Sequence, residues 1–126
     1  MIQSRYLLDI LDLAFEEDND TQSELIKQVK HLTEKERLHT GIGLYVYFEN
    51  KSLPVTTKTD ELFTGIIVKN ESQEVDAEVM IYIVNGLINH IEIFNRTGTP
   101  YPTDDLQSYS INQSWMDKDK GRTIKR

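Results

Sequence analysis

The stretch that decides the fold is Val75–Asn95, VDAEVMIYIVNGLINHIEIFN. Two runs of alternating side-chain character flank Asn85-Gly86, a pair in which both residues accept positive φ at little steric cost, so the segment predicts a β-hairpin. A loop of Val84, Asn85 and Gly86, with Gly86 left-handed in a G1 bulge, sets Ile83 opposite Leu87. One face then carries Val75, Ala77, Val79, Ile81, Ile83, Leu87, Asn89, Ile91 and Ile93. The other carries Asp76, Glu78, Met80, Tyr82, Ile88, His90, Glu92 and Phe94. A two-residue loop shifts pairing by one and opposes inward with outward residues, so the hydrophobic pattern predicts the three-residue loop.

Upstream, Thr64 to Lys69 reads as another strand, making Thr64 to Asn95 a three-stranded antiparallel meander. Ile42 to Phe48 is a further strand opened by Gly41 and Gly43, with Tyr45 and Tyr47 opposite in facing to Leu44, Val46 and Phe48. Asn50 to Asp60, with Pro54, is a loop. Residues 4–18 predict a helix that is apolar around most of its circumference, because Arg5, Asp9, Asp12 and Glu16 recur at helical spacing as one narrow polar stripe. Thr21-Gln22-Ser23-Glu24 has the capping-box pattern and opens a second predicted helix from Gln22 to about Leu38. Beyond the hairpin, Pro100 and Pro102 exclude regular structure, Thr103 to Leu106 is a short turn, and Tyr109 to Met116 is an element of undecided type. The expected fold is α+β, with two N-terminal helices on one face of an antiparallel sheet of about four strands. Residues 1–116 form the domain and 117–126 a charged, flexible tail.

At 126 residues and 38% hydrophobic content, the chain holds one core and is too short for two comfortable domains. No apolar run is long enough to span a bilayer, and Asp9 and Asp12 interrupt the apolar N-terminal stretch that a signal peptide needs, so a cytoplasmic location is expected. The absence of cysteine removes thiol chemistry and disulfides, as suits a reducing compartment. The net charge of −7 disfavours nucleic acid and favours cationic partners.

Little in the chain suggests chemistry. His31 and His90 lack the spacing that sets two imidazoles on one metal, and Glu16 to Asp20 lacks the glycine and twelfth-position glutamate of a calcium loop. No phosphate-binding loop or nucleophile elbow is present. Neither enzymatic activity nor a cofactor or metal is expected. What stands out is surface: Met80, Tyr82, Ile88 and Phe94 between Glu78, His90 and Glu92 mix aromatic, methionine and charge as binding hot spots do, and Tyr45 and Tyr47 extend the patch if their strand pairs alongside.

The segment Asn85-Gly86-Leu87-Ile88-Asn89-His90-Ile91-Glu92-Ile93-Phe94-Asn95-Arg96-Thr97-Gly98 resembles a hairpin of small bacterial proteins, some of which look like immunity partners encoded beside polymorphic toxins. That resemblance implies a cytoplasmic protein that binds and blocks a toxic enzyme domain, with a basic toxin as the expected partner. The candidate partner-binding residues are Asp9, Asp12, Glu16, Glu78, Tyr82, His90, Glu92 and Phe94, the helix acids steering together with Arg5 in their stripe, and Tyr82 and Phe94 anchoring. The rival is a housekeeping α+β subunit that forms a homodimer through the outer sheet face. A small enzyme is the third class, and it requires a concave pocket with convergent carboxylates.

Overall fold

A computed structural model describes residues 1–16, 20–52, 58–115 and 118–126, with side chains described for all of these except 20, 21, 114, 115 and 118–122. Helix α1, Arg5–Ala14, starts where the Ser4 hydroxyl accepts from the Leu7 amide at 3.2 Å. That cap satisfies one of the four amides a helix start leaves open. The helix closes at Phe15, whose amide donates to the Leu11 carbonyl at 3.1 Å. Tyr6, Leu7, Ile10, Leu11, Leu13 and Ala14 are buried, as the apolar circumference requires, but so is Asp9.

Helix α2 spans Asp20–Gln28 and passes through a 3₁₀ turn, Val29–His31, into strand β1, Leu32–His39. The helix expected to reach Leu38 therefore stops ten residues early, counting from Gln28 to Leu38. Thr-Glu-Lys-Glu-Arg has a helix-forming composition, but only Leu32 of β1 is buried, so the segment has no apolar stripe to hold a helix down. As an edge strand it keeps its charges in water, which also discourages further strand addition. The expected interhelical corner at 17–19, the capping side chain of Thr21 and the Pro54 loop tip lie outside the described residues.

The remaining strands are β2 Gly43–Asn50, β3 Glu61–Asn70, β4 Val75–Val84, β5 Leu87–Asn95, β6 Ser110–Trp115 and β7 Lys118–Lys125. They form one seven-stranded sheet in the order β1-β2-β5-β4-β3-β6-β7, every neighbouring pair antiparallel. The expectation of about four strands is thus corrected. The additional strands, β1, β6 and β7, come from polar segments at the sheet margins, where hydrophobic alternation is weakest. The charged stretch expected as a tail beyond residue 116 supplies β7, and the Arg126 amide donates to the Tyr109 carbonyl at 2.9 Å.

Both helices contribute to a single core on one face of the sheet, where Leu44, Val46, Ile66, Val68, Val79, Ile81, Ile91, Ile93 and Ile111 are buried. Phe15 of α1 meets Phe63 of β3 edge-on, with ring centroids 5.1 Å apart. Each fully buried Ile or Leu here is worth about 1.5–3 kcal/mol over its exposed state.

The hairpin forms with a different register from the expected one. Asn85 and Gly86 have φ of 52° and 77°, so they alone make a two-residue turn, and Val84 pairs with Leu87. Ile83 then pairs with Ile88, and Tyr82 with His90, leaving Asn89 as the extra residue of a β-bulge. The bulge, rather than the loop, absorbs the odd residue. Consequently Ile88 faces the core at 1% exposure and Asn89 faces solvent, the reverse of the expected assignment.

The bulge has a cost, and α2 meets it. Pairing between β2 and β5 ends at Tyr47 with His90, so the Ile88 backbone, paired with Ile83 on its β4 side, has no ladder partner on its β2 side. The buried Gln28 side chain takes that place: its Oε1 accepts from the Ile88 amide at 2.9 Å and its Nε2 donates to the Gly86 carbonyl at 2.8 Å. Asn50 Nδ2 donates both to Gln28 Oε1, at 3.0 Å, and to the Ile88 carbonyl, at 3.2 Å. Buried backbone groups are thereby paired by side chains where the ladder stops.

Candidate functional site

Cross-strand pairing lays out the sheet face opposite the helices in rows. Glu36, Tyr47, His90, Tyr82 and Leu62 follow one another across β1, β2, β5, β4 and β3. The adjacent row holds Leu38, Tyr45, Glu92 and Met80, and on the other flank Phe94, Glu78 and Ile67 line up. Because strand side chains alternate in facing, these outer rows interleave with the buried inner ones.

The rings stack along the row. His90 lies 4.3 Å from Tyr82 with planes 10° apart, and 5.0 Å from Tyr47 with planes 29° apart. Tyr45 and Tyr47 are 6.2 Å apart and nearly parallel at 17°. The bulge residue has a part here: Asn89 Oδ1 lies 2.6 Å from His90 Nδ1 and fixes the imidazole edge from outside the stack. Leu38 and Leu62, at 45% and 51% exposure, leave apolar surface open at the margins.

Glu92 supplies the charge beside this slab. The Tyr82 hydroxyl donates to its Oε1 at 3.4 Å. Hydrogen bonding to Glu92, then its charge, raises the Tyr45 phenol pKa, whereas for Tyr82 desolvation leads and Glu92 adds to it. Burial lowers the pKa of His90 against an opposing pull from Glu92, which keeps the imidazole neutral around pH 7. Among the described residues, no Lys or Arg forms an ion pair with Glu36, Glu78 or Glu92.

The candidate binding residues therefore divide. Glu78, Tyr82, His90, Glu92 and Phe94 share the open face, and pairing of β2 with β5 brings Tyr45 and Tyr47 to them. Asp9, Asp12 and Glu16 belong to α1 or its end, on the other side of the sheet, and do not join the patch. Asp9 is instead part of the structure. Arg126 donates to it from Nε at 2.8 Å and Nη2 at 3.0 Å, and the Tyr109 hydroxyl donates at 2.7 Å. The hydrogen bond from Arg126 is the main cause of a lowered Asp9 pKa, opposed by desolvation and assisted by Tyr109. Leu38, Glu36 and Leu62 were not expected in the patch, since their segments carry no clear strand signal.

A concave region of about 550 Å³ lies on the helix side between Ser4, Tyr6, Glu34, Arg37, Asp105 and Gln107. Its charges answer one another: Arg37 Nη1 donates to Asp105 Oδ1 at 2.6 Å, and Glu34 and Ser4 complete the cluster. Burial works against ionised Asp105, but hydrogen bonds from Arg37 and Ser4 outweigh it and lower the pKa. Deeper in, the buried Tyr6 and Tyr101 hydroxyls meet at 2.7 Å. Burial pushes Tyr101 up to about 12, so both phenols stay protonated at neutral pH. Among the described residues, no group of three or more His, Asp or Glu side chains is placed to hold a metal ion. Nor is any helix among them long and apolar enough to cross a membrane.

No protein-family model matches this chain, and no curated protein or solved structure matches it either.

Proposed function

We propose that the protein is a binding protein that docks a cationic protein partner on its open sheet face, acting as an inhibitor of the immunity or antitoxin type without chemistry of its own. The observation that carries this reading is the stacked row Tyr47–His90–Tyr82 flanked by Glu36, Glu78 and Glu92 with no basic side chain paired to them among the described residues. Aromatic rings give large contact area for little lost side-chain freedom, while the carboxylates steer a basic partner and select against acidic ones.

The same face suits a homodimer less well. A two-fold contact sets each patch against its own copy, so Glu36, Glu78 and Glu92 would meet carboxylates rather than cations.

The test is co-expression with the product of the adjacent reading frame, followed by sedimentation velocity. A one-to-one complex with a basic product, lost in the Tyr82→Ala/Phe94→Ala double variant while that variant keeps its fold, is the expected result. Self-association of the protein alone, abolished by the same double variant, would overturn the proposal in favour of the homodimer.

A further inference from the structure

Resting on that reading, we infer that Glu92, together with the faces of Tyr82 and Tyr45, is the receptor for one arginine side chain of the partner. Glu92 sits opposite Tyr45 on β2 and Met80 on β4, so the carboxylate rises from the middle of three strands with an aromatic ring on two sides. A carboxylate has about four acceptor positions, and the Tyr82 hydroxyl, at 3.4 Å, and the Tyr45 hydroxyl take two of them. No Lys or Arg of this chain takes another among the described residues.

The geometry selects guanidinium over ammonium. Tyr82 and His90 stack face to face with planes 10° apart, so the imidazole covers one face of Tyr82, and no ring among the described residues stacks on its other face, which is a flat surface next to a carboxylate. A planar guanidinium can lie on such a surface and donate two parallel N–H groups to Glu92 at once. The lysine ammonium is a compact, strongly hydrated point charge and has to choose between the two contacts. Met80 and Leu38, in the same row as Glu92, offer apolar contact to the arginine methylenes. The titratable groups facing the position are Glu36, Glu78, Tyr45, Tyr47, Tyr82 and His90, and none of them carries positive charge at pH 7.

The test is an NMR titration of the intact protein with blocked Gly-Arg-Gly, and with its lysine and citrulline counterparts, into the millimolar range. Saturating shifts of the Tyr82 and His90 ring protons with the arginine peptide are expected, at least about threefold weaker binding of the lysine peptide, and none of the citrulline peptide. Glu92→Gln should weaken arginine binding about tenfold while the ring-to-ring contacts of Tyr47, His90 and Tyr82 persist. Equal binding of the arginine and lysine peptides, or an unchanged affinity in Glu92→Gln, would overturn the receptor. The two proposals fail separately: arginine-peptide binding with no protein complex defeats the inhibitor reading alone, and a complex indifferent to Glu92→Gln defeats the receptor alone.

Discussion

Replacing Gln28 with leucine should destabilise the protein by about 2–4 kcal/mol, although it exchanges a polar side chain for an apolar one of similar size in a buried place. Gln28 is 3% exposed and bridges the Ile88 amide, the Gly86 carbonyl and the Asn50 side chain. Losing the partner of the Ile88 amide, on a residue 1% exposed, costs about 1–3 kcal/mol because water cannot replace it. The Gly86 carbonyl is only partly buried and can be hydrated, so its loss is nearer one ordinary bond, about 0.5–1.5 kcal/mol. Asn50 keeps the Ile88 carbonyl at 3.2 Å and adds little to the loss. With a urea m-value of roughly 2 kcal/mol/M, the unfolding midpoint should fall by about 1–2 M. Hydrogen exchange at the Ile88 amide should accelerate by more than at the Ile91 and Ile93 amides within the intact ladder. A midpoint shift worth less than about 0.5 kcal/mol at unchanged m-value, together with unaltered Ile88 protection, would refute the idea that this side chain stands in for a missing strand.

Asp9→Asn should cost about 1–3 kcal/mol, towards the lower end because Arg126 is 43% exposed. The folded Asp9 pKa lies below its unfolded value of about 3.9, so its contribution is complete above that pH and lost as pH falls through the folded value. The gap between wild type and variant in urea midpoint should therefore narrow from pH 6 to pH 2.5. His90 carries the opposite kind of shift for a base: its folded pKa is depressed below about 6.5, so the unfolded chain binds more protons in the window between them. Stability from neutral His90 should be present above about pH 6.5 and decline below it, and His90→Phe should flatten that part of the pH–Tm profile. Gly43→Ala should yield little folded protein, since a Cβ there would run into the Ile93 carbonyl oxygen and the Phe94 backbone across the β2–β5 pair. Circular dichroism of the soluble fraction checks this, and a native spectrum at wild-type yield would contradict it.

The sequence by itself determined the features that depend on near neighbours. Asn85-Gly86 had to turn, the alternation from Val75 to Ile83 had to divide core from surface, and the apolar circumference of residues 5–14 had to be buried. It likewise placed Glu78, Tyr82, His90, Glu92 and Phe94 on a common face, because period-two alternation is local. Tertiary structure alone decided the rest. Whether Leu32–His39 is helix or strand turned on pairing with β2, and Lys118–Lys125 joins the sheet only because β6 offers it an edge. The bulge at Asn89 could not be seen in the hairpin, since the side chain that makes it tolerable, Gln28, lies on a helix 60 residues before Ile88. The aromatic row has the same origin: Tyr47 meets His90 only because β2 pairs with β5. Local pattern sets which way a side chain faces, and long-range hydrogen bonding sets whom it faces.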